Sequence, residues 1–97
     1  MNAVIQAKDT SVSEEDMNYL RHTLGATDRY NPSSWGHRNY YASEASTEGD
    51  ESMQRLLAVG YVKTSGQRYG YLYYHATPVG CDALGFTKAQ KQRAMDW

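Results

Sequence analysis

The chain has 97 residues, enough for one modest hydrophobic core and too few for two. Ten lysines and arginines stand against eleven aspartates and glutamates, so no overall field draws the chain onto nucleic acid or an anionic membrane, and any such attraction must be local. The lone Cys81 excludes an internal disulfide and a multi-cysteine metal centre, in keeping with a reducing intracellular address.

No apolar run approaches transmembrane length, and Met1 to Thr10 lacks the charged start and apolar centre of a signal peptide, so no membrane partner is expected. Nine tyrosines and two tryptophans against a single phenylalanine are the oddest feature of the composition. Tyrosine buries a ring while its hydroxyl seeks a partner or water. Such a chain has either half-buried contact surfaces or a small core finished with amphipathic residues, and composition leaves both readings open.

Residues 1–11 carry no sustained period and are expected to form a flexible arm before a domain spanning 12–86. Ser13-Glu14-Glu15-Asp16 reads as a helix start, with Ser13 as cap and three acids opposing the positive end of the helix dipole. Met17, Leu20 and Leu24 then form one apolar stripe, Val12 can staple onto Met17, and Gly25 can end the helix. From Ala26 to Gly49 the chain is rich in turn formers. Asn31-Pro32-Ser33-Ser34 marks a turn, and Arg38 to Ala42 supplies one short strand. Long loops in small domains often carry function, so Trp35, His37, Arg38 and Tyr40 are candidate contact residues; alternatively Trp35 and one of the paired tyrosines plug the core.

A second helix is expected from about Asp50 to Val59, with Met53, Leu56 and Leu57 on one face and Glu44, Glu48, Asp50 and Glu51 around its start. Tyr61 to Thr64 and Tyr69 to His75 read as hairpin strands about a Ser65-Gly66-Gln67 turn. Alternation puts Val62, Thr64, Leu72, Tyr74 and Ala76 on one face and Tyr61, Lys63, Tyr69, Tyr71, Tyr73 and His75 on the other. The first set is the more apolar and belongs against the helices. Tyr69, Tyr71 and Tyr73 then form an outward aromatic strip beside Lys63 and Arg68. Thr77-Pro78 opens a further helix, Gly85 ends it, and Thr87 caps a weakly amphipathic helical tail over 87–97.

Leu57, Gly60, Val62, Ala76, Thr77 and Gly80 stand where a recognition helix, a Gly-aliphatic strand, a wing hairpin and a Thr-x-x-Gly helix start occur in winged-helix domains. This half of the chain resembles the MarR-type regulators, which implies an α+β, winged-helix-like domain with helices packed on a short antiparallel hairpin. Separately, Leu20 to Gly25, Arg38-Asn39-Tyr40-Tyr41 and Thr77 to Gly85 look similar to small proteins of bacteriophages and prophages, which implies a host bacterial cytoplasm as the address. Two features depart from the regulators: a long loop replaces the supporting helix of a helix-turn-helix, and acids stand where a recognition helix brings basic or amide side chains.

Catalytic signatures are absent. His22, His37 and His75 lie on different elements without metal-ligand spacing, the glycines form neither a dinucleotide fingerprint nor a P-loop, and the acids do not match a calcium loop. Cys81 reads as a small buried hydrophobe rather than the nucleophile of a dyad with His75. The expectation is a non-enzymatic module without cofactor or metal. It would bind a protein partner, such as a host factor, through Trp35, Arg38, Tyr40, Lys63, Arg68, Tyr69, Tyr71 and Tyr73. The alternative is a small DNA-binding regulator that meets phosphates through its wing and dimerises through its tail.

Overall fold

In a computed structural model of the chain, which describes residues 11–97, Ser13 opens helix α1 (Glu14–Thr23). The arm expected over 1–11 lies outside the described residues except for Ser11. The cap is reciprocal: the Ser13 hydroxyl accepts from the Asp16 N–H, and the Asp16 carboxylate accepts from the Ser13 N–H. Asp16 does more than answer the helix dipole, which is all its position in the first turn suggests. Its side chain is fully buried and also receives Arg55 Nε at 2.8 Å, Arg55 Nη2 at 2.9 Å and Ser52 Oγ at 2.7 Å.

The chain continues through a 3-10 turn (Pro32–Ser34) capped by Asn31, strand β1 (Tyr41–Ser43), helix α2 (Glu48–Ala58), strands β2 (Val62–Arg68) and β3 (Tyr71–Ala76), and helices α3 (Pro78–Ala83) and α4 (Lys88–Met95). Helix α2 begins two residues earlier than its apolar pattern suggests, because Thr47 caps it by accepting from the Asp50 N–H. The sheet is antiparallel throughout, in the order β1-β3-β2. This is an α+β domain of winged-helix-like arrangement, in which α2 alone occupies the segment between β1 and β2.

The hairpin departs from expectation in a way that matters for its surface. Strand β2 runs through Ser65-Gly66-Gln67 to Arg68, and the chain reverses at Tyr69-Gly70. Both turn residues have positive φ, 55° and 83°, as a two-residue type I′ turn requires. Asparagine or aspartate usually occupies the first of these positions, so a tyrosine there concealed the turn.

The core gathers Leu20 and Leu24 of α1, Met53 and Leu56 of α2, and Val62, Tyr74 and Ala76 of the hairpin, with Cys81 and Ala94 from the last two helices. Beneath the sheet the Tyr74 hydroxyl donates to Asp50 Oδ1 and accepts from Gln54, while Ser43 donates to the same Asp50 oxygen at 2.6 Å. Thr77 caps α3, and Gly80 lies so close to the Tyr61 carbonyl that a Cβ would collide with backbone. Helix α4 has almost no apolar face, yet polar contacts seat it on the body. Arg93 donates to the Trp35 carbonyl at 2.7 Å, Gln90 to the Pro32 carbonyl at 2.9 Å, and Lys91 pairs with Asp82. Its buried residue, Ala94, packs against the core of the chain. Among the described residues no helix is long and apolar enough to cross a membrane.

Hydrogen bonds from Arg55 hold the Asp16 carboxyl down at about 2 against the opposing effect of burial. Its stabilisation is therefore fully present above the unfolded value of 3.8 and is lost as pH falls through about 2. The expected loss is about 2 kcal/mol, seen as a drop in urea midpoint across that window. Arg55→Met is expected to lower the urea midpoint at neutral pH, by less than for a fully buried pair because the Arg55 side chain is 48% exposed, and to abolish the acid-dependent drop.

Candidate functional site

Side chains along β3 alternate: Leu72, Tyr74 and Ala76 turn toward the helices, and Tyr71, Tyr73 and His75 turn away. On β2, Val62 lies buried opposite Ala76, whereas Thr64 on the same row is exposed. The pairing then slips. Thr64 faces Tyr74 and Gly66 faces Tyr73, which leaves Ser65 as the extra residue of a β-bulge. One inserted residue reverses the facing of all that follow it. Arg68, opposite Tyr71, thereby joins the outer row instead of the inner one.

Tyr40 reaches this face from the segment before β1, where its N–H donates to the Thr23 carbonyl at 3.2 Å. Its ring stacks on Trp97, with centroids 5.4 Å apart and planes at 17°, and lies 6.3 Å from Tyr73 at 29°. The Arg38 guanidinium carbon sits 4.3 Å from the Tyr40 ring centroid, within cation–π reach, and Arg38 donates to the Tyr40 carbonyl at 2.8 Å. The three rings, with Ser65, Arg68 and His75, line a cleft of about 560 Å³. A neighbouring groove of about 360 Å³ extends past Lys63, Asn39 and Met95. No aspartate or glutamate lines either one.

Two buried or half-buried polar groups hold the floor of the cleft. Asn39 accepts the Ala76 N–H at 2.6 Å and donates to the carbonyls of Ala76 and Ala94, joining β3 to the end of α4. His75 Nδ1 lies 2.8 Å from the Asn39 carbonyl, which can only accept, so this nitrogen carries the proton. In the neutral ring Nε2 then accepts from the Ser65 hydroxyl at 2.8 Å, which ties the bulge to β3.

Of the residues expected to make contacts, Tyr40, Tyr73 and Arg68 meet in the cleft, Lys63 lines its extension, and Arg38 braces Tyr40. Tyr71 is 41% exposed on the same face. Tyr69 belongs to the turn rather than the strand row and is 88% exposed. Trp35 lies apart from the cleft lining: it is half-buried, packs against the core and stacks on Phe86 at 6.3 Å. The cleft also recruits Trp97 and Ser65, which the sequence reading missed. A large aromatic after a nearly non-amphipathic helix was the available clue to Trp97. Ser65 carried none, because its role depends on pairing register.

Elsewhere the chemistry is subdued. Burial pushes the Cys81 thiol up to about 11, so it stays protonated in the core, and both His75 nitrogens are engaged by Asn39 and Ser65. Burial, with Asp50 nearby, also raises the Tyr74 phenol. Among the described residues no cluster of histidine, cysteine or carboxylate side chains is grouped to hold a metal ion. No protein-family model matches this chain, and no match is found among curated proteins or solved structures.

Tyr69 holds a left-handed conformation at a position that asparagine fills with less strain. Tyr69→Asn is expected to stabilise the fold by about 0.5–1 kcal/mol, a rise of a few degrees in thermal midpoint. An unchanged or lower midpoint would show that the exposed ring offsets its own strain by packing.

Proposed function

We propose that this chain is a non-enzymatic binding module that captures an acidic surface of a protein partner on the outer face of its sheet. The observation that carries this reading is the cleft itself. Stacked Tyr40, Tyr73 and Trp97 stand beside Arg68 and Lys63, with no aspartate or glutamate in the lining. Tyrosine, tryptophan and arginine dominate interface energetics because each couples a large apolar area to a directed polar group. The rings are held by each other and by Arg38, so less side-chain freedom is lost on docking. A host bacterial protein is the partner that the phage resemblance suggests.

The charge layout favours protein over duplex DNA. Glu48 and Glu51 remain exposed at the start of α2, where a recognition helix would approach phosphate. Asp50 is different, since Ser43 and Tyr74 engage it inside. A second reading, nucleic acid held along the hairpin, rests on the coincidence of stacked rings with Lys63, Arg68 and Arg38.

Capture from nuclease-treated host lysate tests the first reading. Tyr71→Ala and Arg68→Ala are expected to weaken recovery of the partner by about tenfold each while leaving the thermal midpoint nearly unchanged. Undiminished capture by both variants would refute the sheet face as the contact. In the nucleic-acid reading, binding instead disappears with nuclease and weakens with salt by about one logarithmic unit of slope per phosphate contact.

A further inference from the structure

A second pocket, of about 300 Å³, lies where the end of α1 meets the loop that follows it, lined by His22, Gly25, Thr27, Arg29, Tyr30 and Arg38. Its lining includes two arginines and no aspartate or glutamate. Among the described residues, the arginines and lysines with an ion-pair partner are Arg21, Arg55 and Lys91; Arg29 and Arg38 have none. The buried Nε of Arg38 also lacks a hydrogen-bond acceptor among those residues, although the same side chain donates to the Tyr40 carbonyl.

The two arginines do not serve as caps for α1. The carbonyls of Leu20, Arg21 and His22 accept from the N–H groups of Leu24, Ala26 and Gly25, while those of Thr23 and Leu24 accept from Tyr40 and Gly36. Neither arginine is therefore needed by the carbonyls at the helix end, and Arg38 is held instead by the Tyr40 carbonyl and ring. Both arginines depress the His22 pKa, after the larger effect of burial, which reflects their convergence on the same small region.

We infer that this pocket is an oxyanion site that takes the phosphate group of a small organic ligand. Guanidinium forks match phosphate oxygens in pairs, and a dianion balances the charge of two arginines that line one pocket. Thr27 adds a hydroxyl. The volume stands at the lower end of small-molecule sites, which leaves room for an organic portion against the Tyr30 ring. The site goes beyond the sheet-face reading and does not require it.

The test is a titration of isotopically labelled protein, followed by nuclear magnetic resonance at fixed ionic strength, with inorganic phosphate in one arm and phenyl phosphate in the other. Saturable shifts are expected at the Thr27 and Arg29 amides and at Arg38 Nε–H, with phenyl phosphate bound about tenfold more tightly, a difference of 1.4 kcal/mol. The His22 pKa is expected to rise on saturation, because the dianion reverses the field of the two arginines. The other groups around His22, namely Glu15, Tyr19 and Tyr41 on its far side and His37 over Gly25, are the same in both arms. Arg29→Gln, at an exposed position, is expected to abolish saturation with the remaining spectrum intact, and Arg38→Gln to abolish it with added shifts at Tyr40 and the rings stacked on it, which Arg38 braces. Shifts that stay linear and match those from chloride, or saturation that survives Arg29→Gln, would overturn the site. Neither readout involves partner capture, so failure here is distinct from failure of the sheet-face reading.

Discussion

A carboxylate without access to water sets the terms for this fold. Asp16 accepts four hydrogen bonds, from the Ser13 N–H, the Ser52 hydroxyl and two nitrogens of Arg55, and so binds the first turn of α1 to the body of α2. Burying that charge is tolerable only while every donor is in place, which makes the crossing of the two helices nearly all-or-none. With α1 and α2 locked, Leu20 and Met53 form a floor on which the hairpin lays Val62, Tyr74 and Ala76. Asp50 repeats the device at smaller scale by tying α2 to β1 and β3 through Ser43 and Tyr74.

This use of acids also sorts the surface charge. Asp16 and Asp50 are spent inside, while Glu14, Glu15, Glu48 and Glu51 stay with the helix starts whose dipoles favour them. The opposite face of the sheet is left to Lys63, Arg68 and the rings of Tyr40, Tyr73 and Trp97. A chain with almost no net charge thus carries a cationic aromatic face, because position rather than composition decides local potential.

Much of the fold was legible because its signals are local. Ser13, Thr77 and Thr87 each announce a helix within three residues of its start, and alternation along β3 correctly turned Tyr71 and Tyr73 outward and Tyr74 inward. The hairpin turn was misplaced because Ser65-Gly66 imitates a turn and Tyr69 does not. Asp16 looked like an ordinary first-turn acid, since its partner Arg55 lies 39 residues away. The contact face was read in part: its tyrosines and cations were visible, whereas Trp97 and the exclusion of Trp35 were not.

By itself the sequence determined the caps, the apolar stripes and the two faces of β3, all of which arise from interactions within a few residues. The tertiary structure alone decided that a single bulge residue, Ser65, brings Arg68 to the aromatic row, and that Tyr40 and Trp97 stack across most of the chain length. The same holds for the meeting of His22, Arg29 and Arg38 around one pocket. Register and long-range stacking depend on which distant surfaces bury each other, and that choice leaves no periodic trace in the order of residues.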